Sequence, residues 1–200
     1  MDTKLFENYI ALQNVGRKKE AKKAIEAFVQ SFETLPEKEL WVAKHLENLA
    51  MGGTGGIRHE LYAGVIFPAL LHCYQGQDPW STMWLSKTIQ NLFSAKYLWE
   101  KIEFKSELTL AQEAYKLDRQ SSEIRACLLE ILISGFEYCE HEWPAGLLCG
   151  PDGCSPLECD ETLDEIELAR TLDEENRLTG YLWSFEKKVQ VYKLRLLSES

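Results

Sequence analysis

Toward the C-terminus apolar side chains recur at alternating steps of four and three: Leu178, Leu182, Phe185, Val189, Tyr192 and Leu196. Only a helix lines such a set along one stripe, and a heptad-type seam of this length calls for a partner helix. That partner lies within the monomer or across a dimer; the seam alone fits both.

The same period governs most of the chain. Thr3 is placed to cap a first helix that runs to about Val15 and ends at Gly16. Ala21, Ala24, Ile25, Phe28, Val29 and Phe32 then share one face, with Lys18, Lys19, Lys22 and Lys23 around the other. Pro36 suits the first turn of a third helix, where its missing N–H costs nothing, and Leu40, Trp41, Ala43, Leu46 and Leu49 form its apolar set. A fourth helix, about Arg58 to Tyr74, is apolar nearly all round, as a central helix is, and Pro68 should kink or split it. Asp78-Pro79 signals a cap and first turn, residues 97–102 a short continuation, Ser106 a helix to Leu117, and Ser121 or Ser122 the next cap. That next helix repeats Ile124, Leu128, Ile131, Gly135 and Tyr138. Three prolines and three glycines make residues 143–159 an irregular loop, after which helices resume at about Glu161–Leu172 and Glu175–Leu197. No run alternates with period two, so no sheet is expected. The expectation is an all-α chain of about eight to ten helices, stacked as antiparallel hairpins in a solenoid or an irregular bundle, forming a single domain over 1–200.

Two junctions resemble tetratricopeptide repeats. Ala114-Tyr115-Lys116-Leu117-Asp118-Arg119 is similar to the end of that repeat's second helix, with Ser121-Ser122-Glu123 opening the next and Leu128 at a fitting offset. Ala169-Arg170-Thr171-Leu172-Asp173 repeats part of the pattern, and Gly16 followed by Ala21 matches its inter-helix glycine and small packing residue. Tyr9 and Phe28 stand where small residues belong, Arg119 replaces a proline, and no 34-residue period covers the chain. The resemblance implies a stack of helix pairs that binds other proteins on a concave face.

Charge narrows the class of partner. The net charge is −10, and residues 1–100 hold equal numbers of acids and bases, so the whole excess lies in 101–200. Acids are densest between Glu158 and Glu175, where Arg170 is the one base. Such a surface repels phosphate backbones and attracts a basic protein, although a solvated helix face has the same composition. Glu158, Asp160, Glu161, Asp164 and Glu165 are the candidate contacts, with Trp143 as an aromatic anchor. No apolar run reaches the roughly 18 residues of a membrane span. Met1 to Asn8 carries early acids and no leader-like stretch, so a cytoplasmic protein with no membrane partner is expected.

Cysteines are thiols or metal ligands in that compartment. Cys139, His141, Cys149, Cys154 and Cys159 lie within 21 residues and offer an alternative reading as a zinc or thiol site, although tight C-x2-C knuckles are missing. Against it stand plain burial and a Cys149–Cys154 disulfide. His72 sits in the apolar fourth helix and reads as a core histidine. Cys73 beside it cannot form a Cys–His pair, since neighbours on a helix face apart. Gly52-Gly53-Thr54-Gly55-Gly56 precedes a helix but lacks a following Gly-Lys-Ser/Thr, so an interhelical loop is preferred over a phosphate cradle. No catalytic residue is nominated. The leading expectation is a non-enzymatic, cofactor-free protein-binding module, an adaptor or an immunity-type inhibitor of a basic partner.

Overall fold

The computed structural model describes residues 1–51, 57–150 and 152–199, with the side chains of Ala50 and Glu199 left aside, and 76% of the chain is helical. The all-α class therefore holds. One expectation needs correcting: β1 (Leu148–Cys149) and β2 (Asp152–Gly153) form a two-stranded antiparallel ribbon. Glycines 146, 150 and 153 make a helix costly here, and the ribbon gives the backbone groups of this stretch partners of their own. The glycine cluster at 52–56 and Pro151 lie outside the described residues. The chain divides into two compact units, Met1–Leu117 and Asp118–Ser200. Among the described residues no helix is long and apolar enough to cross a membrane.

The first unit begins with α1 (Thr3–Asn14), α2 (Lys18–Gln30) and α3 (Leu35–Ala50). Asp2, not Thr3, caps α1, because its carboxylate accepts the Lys4 N–H at 3.0 Å. Gly16 ends the helix with φ +73°, where a side chain would strain the backbone. Ala21, Ala24, Ile25 and Phe28 are the buried face of α2. Phe6, Phe28 and Trp41 join α1, α2 and α3 with ring centroids 5.1–5.2 Å apart. In α3 the fully buried positions are Val42 and Leu46, while Leu40 is 63% exposed, contrary to its assignment to the apolar face.

The expected break at Pro68 takes a specific form. α4 (His59–Leu61) passes through a π-helical turn (Tyr62–Ile66) into α5 (Phe67–Gln75). Pro68 has no N–H to offer the carbonyl of Gly64 four residues back. The wider turn makes room for the ring, and Lys38 Nζ donates to that carbonyl at 2.8 Å. Gly64 is also where α2 comes closest, since a Cβ there would lie 2.4 Å from Val29 Cγ1. Leu61, Tyr62, Val65, Ile66, Phe67 and Leu70 are buried, as the central character of this helix demands.

Asp78 caps α6 (Pro79–Lys87) by accepting the Ser81 N–H at 2.7 Å, with Pro79 as the first helical residue. Short helices α7 (Gln90–Phe93) and α8 (Lys96–Trp99) and a 3-10 turn (Glu100–Ile102) lead to α9 (Glu107–Leu117), which packs on α6.

The second unit has three long helices, α10 (Ser122–Cys139), α11 (Pro156–Leu172) and α12 (Thr179–Glu199). Ser121 caps α10, whose buried face is Ile124, Cys127, Leu128, Leu132 and Phe136. Gly135 and Tyr138, which were expected on that face, are exposed. α11 starts earlier than expected because Ser155 and Glu158 form a capping box around Pro156. Leu182, Phe185, Val189 and Tyr192 of the C-terminal seam are buried, and α12 packs on α11, so the seam's partner is internal. Between these two helices the buried Asp173 accepts backbone N–H groups from Arg177 (3.1 Å) and Leu178 (2.7 Å).

Gly64→Ala is expected to destabilise the protein by about 1–3 kcal/mol, the usual range for overpacking. Chemical denaturation of the variant checks this, and an unchanged midpoint would remove the steric role given to the α2 crossing.

Candidate functional site

Among the described residues, chemistry-bearing side chains come together at several places, three of them beside helix ends.

In the second unit four of the six cysteines share one neighbourhood around Cys154. α10 delivers Cys139 at its last residue, the ribbon carries Cys149, Cys154 follows β2, and Cys159 sits in the first turns of α11. The Leu147 carbonyl accepts the Cys154 N–H at 2.8 Å, which closes the ribbon and holds the loop thiols against the helix ends. The Cys139 and Cys149 thiols both neighbour that of Cys154. All four are free thiols, so the loop carries no disulfide between Cys149 and Cys154. Burial and the neighbouring thiols push Cys154 up to about 12. Cys149 rises to about 11 because it donates to the Glu158 carboxylate, and burial raises Cys139 and Cys159. Thiols held protonated are weak nucleophiles, and a cation bound there would have to displace those protons. His141 is exposed, with Nδ1 3.3 Å from Glu142 Oε1.

The acids nominated from sequence lie along α11 with differing fates. Glu158 belongs to the capping box and is lowered to about 2 by its Ser155 hydrogen bonds. Asp160 pairs with Lys193 of α12. Glu165 is partly buried, and its pKa is raised by desolvation. Glu161 and Asp164 are exposed, and Trp143 is half-buried.

A groove of about 670 Å³ runs instead along α10 and the α11–α12 turn. Ala126, Leu129 and Ile133 of α10 face Leu172 and Leu178 across its apolar floor. Glu130, Glu137, Asp173, Glu174 and Glu175 stand around it with Arg125 and Arg177. Both arginines are engaged, Arg125 by Glu174 and Arg177 by Glu175. The signal for the floor was present in sequence as a second apolar row on α10, at positions 126, 129 and 133, beside the row that faces the core.

In the first unit, a concavity of about 540 Å³ is lined by Glu39, His72, Cys73, Gln75, Gly76 and Asp78. His72 is exposed, which corrects its reading as a core histidine: it lies in the last turn of α5, beyond the apolar centre of that helix. Its Nδ1 is 2.6 Å from Glu39 Oε1, and Cys73 Sγ is 3.8 Å from the same oxygen. Neighbouring helix positions do diverge, but Glu39 of α3 enters between them and draws all three donor atoms within 4.8 Å of one another. Burial and the nearby carboxylates of Glu39 and Asp78 raise the Cys73 thiol.

Elsewhere in the unit, His45 stacks on Trp41 at 4.4 Å beside Phe6, and burial lowers its pKa to about 4.

No family model, curated protein or solved structure matches this chain.

The His45 shift has a defined sign. The unfolded chain takes up the proton near pH 6.5 and the folded one near 4, so stability present above 6.5 is lost as the pH falls towards 4. The melting temperature of the full chain should fall across that window, and His45→Gln should flatten the fall. Parallel pH profiles for variant and parent would refute the assignment.

Proposed function

We propose that this chain is a non-enzymatic protein-binding module, and that its second unit seats a basic amphipathic helix of a partner protein in the groove along α10. The observation that carries this reading is an apolar floor flanked by Glu130 and Glu137, in a lining whose two arginines are already paired with Glu174 and Glu175. Ala126, Leu129 and Ile133 offer purchase to apolar residues spaced three and four apart, the usual anchors of a helix lying in a groove. The surrounding acids favour lysine and arginine on the partner's flanks and speed its approach. Exposed Glu161 and Asp164 extend the negative field along α11. An immunity-type inhibitor of a basic toxin and an adaptor both work through such a surface.

A second reading concerns the thiols. Cys139 and Cys149 both neighbour Cys154, with Cys159 close by, and a zinc ion that drew these four sulfurs together would fasten the end of α10 to the start of α11. Zinc would then be structural, and its binding free energy would add to folding.

Two measurements test these readings. A synthetic basic amphipathic peptide should bind the full chain more tightly than its acidic counterpart, with affinity falling as salt rises. Glu130→Lys with Glu137→Lys should weaken it by more than about tenfold, the equivalent of 1.4 kcal/mol. Equal binding of both peptides, or no response to the reversals, would rule the groove out. For the thiols, elemental analysis of protein purified under reducing conditions should find zinc that Cys154→Ser removes, with a lower melting temperature. Protein whose zinc content and melting are indifferent to that substitution would have no such centre.

A further inference from the structure

We propose that Glu39, His72 and Cys73 form a second, solvent-open binding site for a divalent cation of the zinc class. The site is separate from the thiols of the other unit and independent of both readings above.

The donors are a carboxylate oxygen, an imidazole nitrogen and a thiol sulfur, and zinc accepts all three. Their placement follows from the chain. His72 and Cys73 point about 100° apart around α5, so they can share one ion only on the flank that faces a third element. α3 supplies that element, and Glu39 Oε1 lies 2.6 Å from Nδ1 and 3.8 Å from Sγ. A tetrahedral zinc with bonds of 2.0–2.3 Å holds its ligand atoms roughly 3.3–3.7 Å apart. The sulfur separation exceeds that range by only about a tenth of an ångström. The imidazole contact must open by under about an ångström, which the exposed His72 ring can provide by small rotations about its side-chain torsions.

Charge points the same way. After α5 the chain turns through Gly76 and Gln77, the latter at φ +61°, and Asp78 N–H returns to the Cys73 carbonyl at 3.0 Å. That turn sets a second carboxylate, Asp78, on the wall of the same concavity. The six lining residues therefore hold two carboxylates and a thiol, with one imidazole and no lysine or arginine to balance them. A divalent cation supplies the missing positive charge. As it binds, the Cys73 thiol passes its proton to solvent and sulfur bonds the metal, while neutral His72 donates the Nδ1 lone pair. Three protein donors leave a fourth position facing open solvent, which is the arrangement of an exchangeable or reactive zinc and not of a closed structural one. The helices bearing the ligands belong to a unit with its own apolar core, so this ion is not needed for folding.

The test uses the full chain, reduced and stripped by chelator, then titrated with zinc against a chromophoric competitor and separately with cobalt(II). Relative to the parent, Cys73→Ser and His72→Ala should each weaken one zinc equivalent by at least about tenfold, the lower bound seen even for outer-shell changes. Cys73→Ser should also remove one thiolate-to-cobalt absorption component, with the far-ultraviolet circular dichroism unchanged. Cys154→Ser should leave this equivalent intact. If zinc stoichiometry and affinity are the same in the parent, Cys73→Ser and His72→Ala, or if all bound metal disappears with Cys154→Ser, the site does not exist.

Discussion

The demand that backbone polar groups find partners wherever a helix breaks is the constraint on which the rest of this structure depends. Pro68 cannot serve the Gly64 carbonyl, so Lys38 does, and the π-helical turn that results carries some of the most buried side chains of the first unit. Gly76 and Gln77 return the chain so that the Cys73 carbonyl is met by Asp78. In the second unit the Asp173 carboxylate takes two amides between α11 and α12, and a short ribbon settles the groups between α10 and α11. Each break gathers side chains from different parts of the sequence. The Glu39 trio, the four thiols and the groove beside Asp173 all stand at such places.

Elements whose signals are local were legible in sequence. Gly16, Asp78-Pro79 and Ser121 act through the next few backbone groups, and they end or begin helices where the pattern placed them. Leu182, Phe185, Val189 and Tyr192 repeat over enough turns for their common face to be unambiguous. α10 was harder because it is apolar on two sides. The row Leu129–Ile133 competes with Leu128–Leu132, and periodicity alone misplaced Gly135 and Tyr138 on the core side. The Glu39 trio was illegible for a different reason. His72 and Cys73 diverge when viewed on their own helix, and the residue that unites them lies 33 positions away on α3. Spacing rules describe one element, whereas this site is made by the packing of two.

Acidic residues teach a related lesson. Formal charge counts every carboxylate alike, but folding assigns them different work. Glu158 closes a capping box, Asp160 ties α11 to α12 through Lys193, and Arg170 reaches both Glu167 on its own helix and Glu186 on α12. Exposed pairs of this kind contribute little to stability, typically about 0–1 kcal/mol, yet they neutralise much of the charge that composition attributes to the surface. Carboxylates outside such pairs, Glu130 and Glu137 among them, stand beside the apolar floor of the groove. The groove along α10 shares Asp173, Glu174 and Glu175 with the densest acid run and adds Glu130 and Glu137 beside apolar side chains.

Within the second unit the thiols lie at one end of a helix pair, and the groove runs along α10 from Ser122 to Glu137. Cys139 and Cys159 mark the end of α10 and the start of α11, while Arg125 near the start of α10 meets Glu174 just past the end of α11. The two helices therefore run antiparallel, with the free thiols at one end and the Arg125–Glu174 pair at the other. Any metal bound by the thiols would fix the spacing of α10 and α11 without touching a ligand in the groove. Such an ion would act by lowering the cost of organising the floor, which gains affinity through preorganisation and not through added contacts. α10, whose buried face runs from Ile124 to Phe136, is the element that the thiols and the groove share.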